Sequence, residues 1–338
     1  MKRIIVTRFS AMGDVAMVAS VLKEFQEQHS DTEIIVISRK LFEAFFENIP
    51  RVIFHTFDPK GKHRGLLGIY TLFQELKSYK AKFIADLHNN IRSRTLGFLF
   101  KMTGSTIEIL DKGRNEKEEL TRSDNKIKKQ LKLTTERYAD VFRQLGFPIT
   151  LSHKLNKDFR LIPNNLLNIL ASDNRKIGIA PFAQHSYKVF PLEKMEEVIA
   201  YLSQNNYYVF IFGGGQQEKD IAEKWSSKYN NIYNTIGEYK VSQELDIISH
   251  LDLMISMDSS GMHMASLVGT RSLSIWGATH PFAGFLGYGQ SYEDCIQVEH
   301  ENRPSSVYGN KTCLCDGVEA IDLVTSKMVI QEINKICE

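Results

Sequence analysis

The sequence predicts an α/β protein built from two Rossmann-like domains facing a cleft, each a parallel sheet with helices on both faces. Three observations carry this expectation. Short, β-branched apolar runs alternate with helical patterns along most of the chain, the signature of parallel strands buried on both faces. At 338 residues the chain exceeds what one hydrophobic core usually organises. The alternation also stops in a polar stretch, Asp158–Asn174, and then restarts, which places a linker there.

In the first domain, residues 1–160, strands are expected at Ile4–Thr7, Glu33–Ser38, Val52–Phe57 and Phe83–Leu87. Helical patterns lie between and after them, near Gly13–Gln28, Leu41–Glu47, Leu66–Ser78 and Ile91–Met102. A charge-rich stretch, Lys112–Lys132, then interrupts the pattern, with Arg114, Lys117, Arg122, Lys126, Lys128 and Lys129 set among Glu116, Glu118 and Glu119. Such a run is either a solvated loop and helix face or a mobile basic flap over an anionic substrate. Helix Glu136–Pro148 follows. The second domain, residues 175–320, offers strands Lys176–Ala180, Tyr207–Phe212, Leu253–Ser256 and Ser272–Ile275. Its helices are Leu192–Gln204, Gln217–Lys228, Ser242–His250 and Ser260–Val268. A last helical stretch, Ile321–Cys337, is placed as a segment that can cross back onto the first domain.

Composition narrows the function. The apolar and charged fractions, 43% and 24%, are those of an ordinary soluble globular protein. A net charge of +2 gives nucleic-acid binding no support. No apolar run reaches the roughly 18 residues of a membrane span, and the chain enters a strand at once, which leaves no room for a signal peptide. The four cysteines are Cys295, Cys313, Cys315 and Cys337. The Cys313–Cys315 spacing is too tight for the usual zinc pair and no histidine pair completes a site, so reduced thiols in a cytoplasmic protein are expected.

Ligands of doubly wound sheets bind beyond the carboxyl ends of the strands, at helix N-termini. In "RFSAMGDVAM", Gly13 allows close backbone approach and Asp14 sits in the first helical turn. An acid there complements the helix dipole, but it would repel a phosphate by about 4 kcal/mol at ~4 Å and an effective dielectric near 20. The turn is therefore suited to accepting a hydroxyl proton rather than to holding a nucleotide. In "LMISMDSSGMHMASLVG", Asp258 closes a strand, Ser259 or Ser260 caps the next helix, and Gly261 and His263 follow. Simple capping explains the serines; small residues at a helix start also free N–H groups for an anion. In "APFAQHSYKVFP", Ser186 and Lys188 lie in a turn from which a lysine can reach a pyrophosphate, although a surface lysine is the plainer reading. "FGGGQQEKD" adds a glycine turn with Glu218 placed for ribose hydroxyls.

Together these stretches resemble the ADP-heptose:lipopolysaccharide heptosyltransferase family, glycosyltransferase family nine, of GT-B architecture. The matching segments are "RFSAMGDVAM", "DLHNNIRSR", "APFAQHSYKVFP", "FGGGQQE", "NTIGEYKVSQELDIISHLDLMISMDSSGMHMASLVGT" and "SIWGATHP". The resemblance implies Asp14 as catalytic base, with Gly13 beside it and Arg92 and Arg94 meeting an anionic acceptor. It implies that Lys188 and Ser186 hold the donor pyrophosphate, Glu218 the ribose, and Val241 the base pocket. Asp258 would contact the donor sugar, Ser259, Ser260 and Gly261 would bind phosphate, and His263 matches the family's histidine on that helix. One departure is Ser260 where many members carry glycine, a substitution that requires its φ to be negative.

The activity so implied is inverting transfer of a sugar, heptose from ADP-heptose, to a lipopolysaccharide-core or related glycan acceptor. No Asp-x-Asp pair closes a strand, so no metal or other cofactor is required. The expected partners are a nucleotide-diphosphate sugar and a lipid-linked glycan. The location is cytoplasmic, with peripheral contact to the inner membrane through Lys112–Lys132. Two alternatives remain open at this point: a sugar-nucleotide 2-epimerase-like enzyme and a non-catalytic nucleotide-sugar-binding protein.

Overall fold

A computed structural model of the chain describes residues 2–337. In order, the elements are β1 (Lys2–Thr7), α1 (Met12–Gln28), β2 (Thr32–Ser38), β3 (Val52–Thr56), α2 (Gly65–Lys77), β4 (Phe83–Asp86), α3 (Ile91–Lys101), β5 (Thr106–Ile109), α4 (Arg114–Thr121) and α5 (Thr134–Gln144). There follow α6 (Leu167–Leu170), β6 (Lys176–Ala180), α7 (Leu192–Gln204), β7 (Tyr208–Ile211), α8 (Gln216–Lys228), β8 (Ile232–Asn234), α9 (Val241–Ser249), β9 (Leu253–Met257), α10 (Ser260–Leu267) and β10 (Ser272–Ile275). The chain closes with β11 (Cys295–Ile296), a hairpin of β12 (Leu314–Cys315) and β13 (Val318–Glu319), and α11 (Ser326–Cys337). The helix expected near Leu41–Glu47 is a 3-10 turn, Lys40–Phe45.

The elements form two compact units. One comprises the chain up to Lys112 together with Leu133–His153; the other comprises Gly113–Lys132 and everything from Lys154 onward.

The first unit holds a five-stranded parallel sheet in the order β3-β2-β1-β4-β5. Ile4 faces Ile34 and Val6 faces Val36 in register, and all four are fully buried. Because successive side chains of a strand point to opposite faces, Ile5, Ile35 and Ile37 meet the other set of helices. There they pack with Ile69, Leu72, Phe73 and Leu76 of α2 and Leu96 and Phe100 of α3. Helices α1 and α5 pack on each other through Phe25 and Phe142, whose ring centroids lie 4.8 Å apart. The chain runs from β1 outward to β2 and β3, then returns past β1 to β4. The loops after β1 and β4 therefore diverge at the switch point of the sheet, where such folds bind ligands.

The second unit repeats the plan in six parallel strands, β11-β10-β9-β6-β7-β8, with its switch point between β6 and β9. Its core joins Ile177, Ile179, Ile255 and Leu273 of the sheet to Val198 and Leu202 of α7 and Val329 and Ile333 of α11. The C-terminal helix thus packs within this unit rather than on the first domain. Tyr201 on α7 donates to Asn334 at 2.9 Å, and residues 321–325 precede the helix instead of opening it.

Two further expectations change. The stretch 158–174 is not a free linker. Asp158 N–H donates to the Val268 carbonyl, Arg160 N–H to Ser249 Oγ, and Asn165 Nδ2 to the Tyr239 hydroxyl. The stretch 113–132 has the expected solvated side, with Arg114, Glu118, Arg122 and Lys129 exposed, but it is not a loose flap and it does not belong to the first unit. Leu120 and Leu131 are buried with Ala283, and Lys117 lies over the Phe285 ring. Lys126 donates to the carbonyls of Glu301, Asn302 and Pro304, and Lys128 pairs with Glu299. Lys117, Lys126 and Lys128 are held by a ring, three carbonyls and a carboxylate at residues 285–304, which with the buried Leu120 and Leu131 ties the segment to the second unit.

Candidate active site

In the first unit the loop after β1 runs Arg8 to Ala11 and enters α1, where Asp14 occupies the third helical position. The Ala11 N–H donates to Asp14 Oδ2 at 3.3 Å, so the acid does close the helix start. It also holds Arg8 Nη2 at 2.5 Å and accepts from the Tyr138 hydroxyl at 3.3 Å. Arg8 is itself anchored, because Nη1 donates to the Leu87 carbonyl at 2.7 Å. The guanidinium and the phenol, both buried, aim the carboxylate from two sides. Gly13 is the helical residue just before it.

The loop after β4 is organised by Asp86. Its fully buried carboxylate accepts from Thr7 Oγ1, the backbone N–H groups of His88 and Asn89, and Ser93 Oγ, at 2.8–3.0 Å. Asn90 and Ser93 exchange side-chain and backbone bonds and start α3. "DLHNNIRSR" is therefore first a loop-building motif. His88 sits against Phe9, with its pKa pushed down to about 3 by burial and by the charges of Arg8 and Lys112, so the ring is neutral at physiological pH. Arg92 and Arg94 stand exposed on the first turn of α3, and neither bonds to the Asp14 group.

In the second unit, Lys188 ends a 3-10 turn, Ser186–Lys188, that follows β6. Its Nζ lies 2.9 Å from Asp258 Oδ2 at the end of β9. The two residues on either side of the switch point form an ion pair, and Ser186 is exposed beside them. Gly309 presses on the lysine stem so closely that a Cβ there would sit 2.2 Å from Lys188 Cγ.

Helix α10 begins just beyond. Ser259 is its N-cap residue, but its side chain makes no cap; Ser256 Oγ accepts the Met262 N–H at 3.0 Å instead. That bond leaves the N–H groups of Ser260 and Gly261 without acceptors among the described residues. Ser260 has negative φ, so it fits without strain. Glycine is demanded one position later for a different reason: a Cβ on Gly261 would lie 2.4 Å from the Ala180 Cβ. His263 is buried in the following turn. Glu218, in the first turn of α8, accepts the Gly214 N–H at 2.7 Å through Oε2; Oε1 takes no bond among the described residues. Val241 opens α9.

Residues 69–313, well over half of the chain, match the family model of glycosyltransferase family 9 (heptosyltransferase). The chain belongs to this family. The family 9 glycosyl transferase of Veillonella parvula DSM 2008 shares its fold at a TM-score of 0.74 and 18% identity, over 99% of this chain and 97% of that one. The ADP-heptose lps heptosyltransferase II of E. coli superposes at 0.70 and 17% identity, over 99% and 98%. The lipopolysaccharide core heptosyltransferase OpsX of Haemophilus influenzae is 22% identical over 328 residues, 90% of this chain and 88% of its own.

For a family 9 glycosyltransferase, the group most like a metal centre among the described residues is His55, His63 and Glu75 in the first unit. Its hydrogen bonds argue for another role. The Asp58 N–H donates to His63 Nδ1 at 3.0 Å, so in the neutral ring the proton lies on Nε2, which faces Glu75 Oε2 at 3.3 Å. His55 Nε2 and Lys62 Nζ converge on the same carboxylate at 3.0 Å. Glu75 thus clamps β3, the loop after it and α2 with three donors, and burial lowers the His63 pKa further from the charged form.

Sequence reasoning missed Arg8, Tyr138 and Ser256. Arg8 lay inside the opening decapeptide and could have been found as the charge nearest Asp14. Tyr138, 124 residues away, leaves no local signal.

Proposed function

We propose that this family 9 glycosyltransferase moves a heptose from ADP-heptose to a hydroxyl of a lipopolysaccharide-core glycan, with inversion at the anomeric carbon. The observation that carries the reading is Asp14, an acid oriented by Arg8 and Tyr138 at the switch point of a sheet. In this reading the first unit tends the acceptor. Asp14 takes the hydroxyl proton as the acceptor oxygen bonds to the anomeric carbon and the bond to the diphosphate breaks. The second unit tends the donor. Lys188 and the N–H groups opening α10 stabilise the charge that gathers on the departing ADP, Asp258 meets the sugar, Glu218 Oε1 takes a ribose hydroxyl, and Val241 borders the base. Ser186, Ser259, Ser260, Gly261 and His263 complete the donor side, and Arg92 and Arg94 meet acceptor phosphates. No metal or other cofactor is needed. The enzyme would work in the cytoplasm, against the inner membrane that carries its acceptor.

The names of the relatives above support the donor and acceptor assignments. The test is transfer itself. With ADP-heptose and a delipidated core oligosaccharide, ADP release should match a gain of one heptose on the acceptor. Release without gain, or transfer only from a GDP- or UDP-sugar, would overturn the donor assignment. A melting-temperature panel of ADP, GDP and UDP, each well above its dissociation constant, should show the largest rise with ADP.

A further inference from the structure

Helices α2 and α3 of the first unit bury one side against the sheet and leave the other open. Among their outward residues are some of the most exposed large apolar side chains of the protein, Leu67 at 85% and Ile91 at 82%. At 100° per residue, Ile91, Phe98 and Met102 fall within about 40° of one another on the outer face of α3. Leu66, Leu67 and Tyr70 make a matching outer stripe on α2, which packs beside α3.

The charge around this surface has one sign. Residues 59–74 and 88–102 contain Lys60, Lys62, Arg64, Arg92, Arg94 and Lys101 and no Asp or Glu. All six cations are exposed. Arg64, Arg92, Arg94 and Lys101 make no ion pair or side-chain hydrogen bond among the described residues, and only Lys62 has an acidic partner, Glu75. Arg94 and Lys101 flank the α3 stripe on one side and Arg92 on the other. An apolar strip bordered by unpaired cations matches the two layers of an anionic bilayer surface, acyl chains below phosphates.

We propose that the outer face of α2 and α3 is the surface by which this protein lies on an anionic phospholipid bilayer. A second copy of the chain fits the face poorly, since a two-fold contact would bring the same cations together. The stretch 113–132 fits a bilayer less well, because its leucines Leu120 and Leu131 are buried and Glu116, Glu118, Glu119 and Asp124 stand among its cations. The N-terminal ends of α2 and α3 lie at the carboxyl edge of the sheet, the edge that also carries Asp14.

This inference rests on the membrane part of the reading above and not on its chemistry, so the assay omits sugar donor and acceptor. The full chain is sedimented with vesicles of phosphatidylglycerol and phosphatidylcholine, or of phosphatidylcholine alone. Binding should require the anionic lipid and fall with salt. The double variant Leu67→Glu, Phe98→Glu should lose ~tenfold or more in partitioning, while its melting temperature and its transfer to a delipidated acceptor stay unchanged. Lys101→Glu should weaken binding several-fold. Unchanged partitioning of the double variant, equal binding to neutral vesicles, or a dimer in solution that the double variant dissolves would each overturn the proposal. A protein that transfers heptose but ignores vesicles sinks this inference alone; one that binds vesicles through Leu67 and Phe98 but transfers nothing sinks the earlier reading alone.

Discussion

Both units place an ion pair at the switch point of a parallel sheet, yet the pairs are built the opposite way round. In the first unit the central group is an acid, Asp14, and a buried guanidinium from the same loop holds it. In the second the central group is a cation, Lys188, and a buried acid from the strand across the switch point holds it. The topology is common to both units, so it does not choose the sign of the charge; loop residues do. The difference teaches what each edge is equipped to meet. An acid with its charge balanced from behind can take a proton, and a lysine with its charge balanced from the side can shift toward a diphosphate.

The largest break in this comparison should come from Asp14→Asn, which keeps shape and removes basicity. Turnover should fall by about 10²–10⁴, with ADP affinity held within a few-fold by titration calorimetry. A variant that turns over normally would take Asp14 out of the mechanism. Lys188→Ala should show the reverse balance. Turnover falls by about 10²–10³ and ADP binding weakens in parallel, because both the ground state and the leaving group lose the same cation. Equal ADP affinity in wild type and variant would remove Lys188 from the donor side.

Two smaller effects compare buried carboxylates. Asp86 is fully satisfied by four donors, so Asp86→Asn, which offers an amide to those donors, should cost roughly 2–4 kcal/mol in denaturant unfolding. Glu244 on α9 is half-buried without a side-chain hydrogen bond among the described residues, and burial raises its pKa from 4.5 to about 7. The raised folded-state value means that its contribution is fully present below pH 4.5 and is lost as pH climbs through 7. Glu244→Gln should therefore stabilise the protein by about 1–2 kcal/mol at pH 8 and by nothing near pH 4, in paired melts at the two pH values.

Much of this was legible in the sequence, and the gaps have physical causes. The alternation of apolar strands and amphipathic helices located most elements to within a residue or two. It missed β5, β8 and β11, which are two to four residues long and carry polar positions such as Glu108 and Tyr233. Site residues that share a loop, such as Asp14 and Gly13, were readable together. Lys188 and Asp258 were each readable but their pairing was not, since it depends on β6 lying beside β9. Placing 113–132 in the first domain failed for the same kind of reason: nothing local marks Lys126 and Lys128 as partners of residues 299–304.

That detour of the chain bears on how the protein comes off the ribosome. The backbone of Leu131 bonds to Phe282, about 150 residues further on, a stretch that takes roughly 8–30 s to translate at about 5–20 residues per second. Until then Leu131 lacks its Phe282 partner and Lys126 and Lys128 lack the acceptors at residues 299–304, while α5, which packs on α1, has already emerged. The nascent amino-terminal sheet can thus close over a dangling hairpin of chain whose anchor is not yet made.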